Sequence, residues 1–180
     1  MKLPVAATSL DLRYELREDR LVLTARTASS GLDLFLTRRL TRALLAGLLE
    51  LLMQTSDLVA RSGVSHRSDV LLFEHLEAVT PLGAGEEPPQ GAPPALAAEI
   101  QAQRPRLVHR IDLTINPGGL LLSFWDEACE LAWMNLTRPM VHQLINMLLI
   151  KCREAGWNLD ELAWIDRAGQ IVVPEGSRLC

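Results

Sequence analysis

Residues 36–51, LTRRLTRALLAGLLEL, return one hundred positions later as residues 136–151, LTRPMVHQLINMLLIK. Leu36-Thr37-Arg38 recurs as Leu136-Thr137-Arg138, and Leu44, Leu48 and Leu49 stand opposite Leu144, Leu148 and Leu149, so six of the sixteen aligned positions are identical. Leucines align by chance in a leucine-rich chain; the shared Leu-Thr-Arg opening is what marks an internal repeat. Upstream the offset becomes 99. Leu12, Tyr14 and Leu16 then face Ile111, Leu113 and Ile115, and Leu21, Leu23 and Ala25 face Leu120, Leu122 and Phe124. The turns between these runs, 17–20 and 116–119, have equal lengths.

Residues 11–17 alternate polar and apolar, which puts Leu12, Tyr14 and Leu16 on one face of a strand. Strands at 21–26 and 32–36 follow, and Thr37 is a suitable cap for the helix after them. The second copy reads as strands at 108–115, 120–125 and 131–136, then a helix capped by Thr137, with Pro139 in its first turn and Gly156 just past its end. The expected fold class is α+β: an internally duplicated β-β-β-α unit, giving two antiparallel three-stranded sheets and two packed apolar helices, plus a C-terminal β-hairpin at 161–174. Residues 1–80 hold the first copy with an irregular extension, 81–104 a Pro/Gly-rich linker, and 105–180 the second copy with the hairpin. Within the extension, 69–78 reads equally as a short helix or a buried strand; just before the second copy, 95–103 reads as a short helix.

Both long helices carry more apolar surface than one stripe requires. Leu40, Leu44, Leu48 and Leu51 form a stripe that Leu45, Leu49, Leu52 and Met53 broaden, and Met140 to Ile150 does the same. They are too short and too closely flanked by charge to span a bilayer, so the surplus must meet protein. The other copy's helix is the natural cover, with both copies sharing one core and a homodimer hiding the remainder.

Composition narrows the function. The 180 residues are 48% apolar with net charge −4, which excludes a disordered chain and gives no basic patch for nucleic acid. Cys129, Cys152 and Cys180 have neither disulfide-framework nor zinc spacing. With no leader-like or membrane-spanning run, the expected location is the cytoplasm, without cofactor or metal.

Motifs for phosphate loops, metalloproteases and nucleophile elbows do not occur. Ser65, His66 and Asp69 lie close in sequence, but triads form in space. His66 and His75 flank a possible short element. His109 is in phase with Ile111 and should be half-buried in the sheet; His142, opposite Arg42 and four residues before Asn146, should lie on the wetter side of its helix. Residues 126–130, acidic around Cys129, read as a solvated loop.

Arg38, Arg39 and Arg138 put cations in the first helical turn, against the helix dipole. A carboxylate such as Asp33 or Glu130 would explain them; the sharper alternative is a pair of anion sites built from Thr37, Arg38, Arg39, Thr137 and Arg138. Trp125 is out of phase with Leu120, Leu122 and Phe124 and so is the candidate interface residue. The leading functional expectation is a non-enzymatic module that binds another protein or itself. A binder of a small anionic ligand is the second, and an enzyme using His142 or His109 as acid or base is the third.

Overall fold

The computed structural model describes residues 3–80, 104–162 and 164–165. Alternation does its expected work first: β2 (Ser9–Glu15), β3 (Arg20–Arg26) and β4 (Gly31–Leu36) form an antiparallel meander, and β6 (Arg110–Asn116), β7 (Gly119–Trp125) and β8 (Glu130–Leu136) form another. A helix follows each meander, α1 (Arg38–Thr55) after the first and α4 (Arg138–Glu154) after the second. The order strand, strand, strand, helix thus occurs twice in a mixed α+β chain.

Each sheet has four strands rather than three, and the fourth is exchanged. β1 (Val5–Ala6) lies parallel to β8, and β5 (Arg106–Leu107) lies parallel to β4. The segment leading into each meander therefore completes the sheet of the other. The backbone bonds correspond: Ala7 N–H donates to Trp133 O (2.8 Å) as Val108 N–H does to Phe35 O (3.0 Å), and Thr8 N–H donates to Arg26 O (2.7 Å) as His109 N–H does to Trp125 O (2.8 Å).

Leu21, Leu23, Leu34 and Leu36 from one sheet and Leu120, Leu122 and Phe124 from the other are buried in a single apolar cluster with the inner faces of α1 and α4. The helices touch each other, and each also reaches the far meander, α1 packing on β6 and α4 on β2. Gly47 permits this approach, since a Cβ there would stand 3.0 Å from Leu113 Cδ1. The strand faces end sooner than the alternation predicts: Leu16 is in the turn and exposed, and Ile115 is exposed at the end of β6.

The stretch from 56 to 79 is helical, where the sequence reads as irregular. It forms α2 (Asp57–Arg61), a 3₁₀ turn (Val64–His66) and α3 (Arg67–Val79). Leu71 and His75 are its buried positions in α3 while Phe73 between them is exposed; a strand would put all three on one face, so 70–76 is helix. This arm packs on α4 as well as on α1, so the surplus apolar face of α4 is covered partly by α3 and not by α1 alone. Trp157 follows α4 and closes back on the first meander, its ring edge-on to Tyr14 and its Nε1–H donated to Asp19 Oδ1 (3.0 Å). Of the expected hairpin, residues 166–174 lie outside the described residues, and Asp160–Leu162 is a 3₁₀ turn. The expected helix at 95–103 also lies outside them.

Candidate functional site

Where α1 ends, three helices bring polar groups together. Ser56 caps α2, its hydroxyl accepting from Val59 N–H (3.0 Å) while donating to Glu74 Oε1 on α3 (2.7 Å). Glu74 Oε2 accepts from Arg138 in the first turn of α4 (2.6 Å). Arg138 donates further to Thr55 Oγ1 (3.0 Å) and to the carbonyl of Leu52 (3.2 Å), so its guanidinium lies against the C-terminal turn of α1. A cation disfavoured at the start of its own helix is thus favoured at the end of another. Its carboxylate partner is Glu74, not Asp33 or Glu130; Asp33 is buried in its own network, bonded by Arg13 (2.6 Å) and Thr24 (2.6 Å).

Burial works against ionisation of Glu74, but the Ser56 hydroxyl and Arg138 outweigh it and hold the carboxyl below its usual range. Because the pair is only partly shielded from water, Glu74→Gln should lower stability by about 1–3 kcal/mol. Urea unfolding at pH 7 measures this, and Arg138→Ala combined with it should cost less than the two changes summed.

One residue on from Glu74, and one turn on from Arg138, two histidines meet. His75 and His142 are 3% and 2% exposed, with their Nδ1 atoms 3.3 Å apart and ring centroids 5.5 Å apart. One Nδ1 must carry the proton and the other accept it. His142 Nε2 is buried without a hydrogen-bond partner among the described residues. Burial, then the neighbouring His75 and Arg138, push His142 down to about 4, against a smaller opposing pull from Glu74; burial likewise lowers His75. Both rings are neutral at pH 7. His142 is therefore in the interior, not on the wetter side of its helix as its polarity and its alignment with Arg42 had indicated.

Compared with known proteins, the chain matches no family model, no curated protein and no solved structure.

The remaining candidates are dispersed. Thr37 caps α1 by accepting from Leu40 N–H (3.3 Å), and Arg38 and Arg39 beside it are exposed; Thr137 makes no side-chain cap bond. The two Thr-Arg helix starts therefore differ, one with two exposed cations and one with Arg138 engaged by Glu74. His109 precedes β6 and is exposed near Glu127 (3.7 Å), a correction to the half-buried placement that followed from its phase with Ile111. His66 is exposed beside Asp69 (4.0 Å). Trp125 is half-buried, with the Arg110 guanidinium 4.4 Å from its ring centroid and its Nε1 buried without a hydrogen-bond partner among the described residues. Asp126 accepts from the backbone N–H groups of Cys129 and Ala128, which lower its pKa, and pairs with Arg106. Among the described residues no three His, Cys, Asp or Glu side chains converge as a metal would need. Nor is any helix among them long and apolar enough to cross a membrane.

Sequence reasoning could not find the histidine pair, because its members are 67 residues apart. One local signal existed. Ile145, Leu149 and Cys152, at helical spacings from His142, are all buried.

Proposed function

We propose that this chain is a non-enzymatic protein-interaction module that assembles with a second copy of itself, built by duplication of a strand–strand–strand–helix unit. The twice-repeated element order and the matched exchange of edge strands support the duplication. The docking segment is the helical arm 57–79, which the duplicated unit does not account for.

One observation carries this reading. Leu58, Val64 and Phe73, three large apolar side chains within sixteen residues, are 56%, 80% and 67% exposed. Apolar groups concentrated on one exposed segment cost solvation free energy that association recovers. Burying a phenylalanine contributes roughly 1.5–3 kcal/mol, so Phe73 is the position to test. Light scattering coupled to gel filtration should give twice the 20.0 kDa chain mass for the unaltered protein and the chain mass for Phe73→Glu, with the melting of the separated monomer preserved. An unaltered protein that stays at the chain mass across the accessible concentration range overturns self-assembly.

A further inference from the structure

We propose that the contact between His75 and His142 is an acid-released latch, holding the α2–α3 arm against α4 at neutral pH and freeing it in mild acid. The latch rests on the proposed function only for its purpose, the control of a docking arm; its operation belongs to the isolated protein.

The arm is lightly anchored. Seven side chains of α4 are buried, but in the arm only Val59 of α2 and Leu71 and His75 of α3, with Val70 and Leu72 partly covered, so one of the arm's three buried side chains titrates. Segments with few buried apolar contacts open at lower free-energy cost than the core around them. The geometry of the pair makes this one sensitive to protons. With one proton between them, the two Nδ1 atoms form a hydrogen bond; a second sets N–H against N–H in a site closed to water.

The other charged groups facing the pair do not compensate. Arg138 on α4 opposes a cation there, and Glu74 on α3, which would favour one, is already paired with Arg138. From α1 the cluster receives only neutral groups, Thr55 and the Leu52 carbonyl, and from the start of α2 the Ser56 hydroxyl. Glu74 is held below its usual range, so it stays ionised through the window in which the histidines change.

The direction follows from proton counting. A released histidine titrates near 6.5, whereas His142 in the closed arm does so at about 4, so the released form binds more protons between these values and is favoured as pH falls. For His142 alone, the released-to-closed ratio should rise about 30-fold between pH 7.5 and 5.

Hydrogen exchange of the full chain, corrected for the intrinsic pH dependence of exchange, reads this directly. Protection across 67–79 should fall about 30-fold over that interval and stay below that of β3 and β7 at every pH. In the His75→Leu/His142→Leu double variant, which replaces both rings with apolar side chains, the fall should disappear. A proton NMR titration of the unaltered protein supplies a readout independent of any variant: His142 should titrate at about 4, and His75 below its ordinary value. Unchanged protection of α3 down to pH 5, protection of α3 equal to that of the sheets, or His75 and His142 titrating near 6.5 would each overturn the latch. Failure of the Phe73→Glu experiment would remove the dimer and leave these results standing.

Discussion

Residues 1–78 and residues 105–180, produced as separate chains, will each show no cooperative thermal transition, and mixing them will restore one. Either half alone loses an edge strand from its sheet: β4 loses β5, and β8 loses β1. It also exposes the face of its long helix that packs on the other half, α1 on β6 at Gly47 and Leu113, and α4 on β2. Each buried leucine returned to water costs about 1.5–3 kcal/mol, so three or four remove most of the 5–15 kcal/mol by which a domain of this kind is stable. Circular dichroism melts of each fragment and of the equimolar mixture are the measurement. A cooperative melt from either fragment alone would mean that the halves do not depend on a common core.

The second large effect is expected from one methyl group. Gly119 opens β7 with φ of +138°, and a Cβ there would stand 2.2 Å from the carbonyl oxygen of Leu136 and 3.2 Å from its carbon. Both atoms are backbone, in the last residue of β8 directly before the Thr137 cap of α4, so relief would require moving the strand and the helix it launches. Gly119→Ala combines this clash with a backbone conformation that L residues rarely adopt, and should cost about 3–5 kcal/mol. Its neighbour is the control. A Cβ at Gly118 would meet only Asn116 Oδ1, at an ordinary 3.6 Å, and Gly118→Ala should stay within about 1 kcal/mol of the parent. Urea midpoints of the three proteins decide it; equal midpoints for Gly119→Ala and the parent would mean that β7 and β8 can separate at this point without cost.

The meanders and both long helices were legible because alternation, turns and caps are local signals. Leu21, Leu23 and Ala25 and their counterparts Leu120, Leu122 and Phe124 are buried as their period requires, and Thr37 caps α1. The edge strands were not legible, since Val5–Ala6 and Arg106–Leu107 are too short to show a period and are selected by the sheet they join. The run Val70-Leu71-Leu72-Phe73 fits a buried strand as well as a helix, and only the pairing of buried Leu71 with buried His75 and exposed Phe73 separates the two. The polar cluster was hidden for a different reason: Glu74 and Arg138 are 64 positions apart, and an arginine at a helix start gives no indication that another helix ends against it.

The exchange of edge strands also sets a schedule for synthesis. Val5 pairs with Ala132, a residue made long after it. At about 5–20 residues per second, that partner is made roughly 6–25 seconds later. Until then, the leucines of α1 lack the cover that β6 and α4 will provide. The nascent chain therefore spends longer in need of chaperone protection than one whose neighbouring segments pair as they emerge.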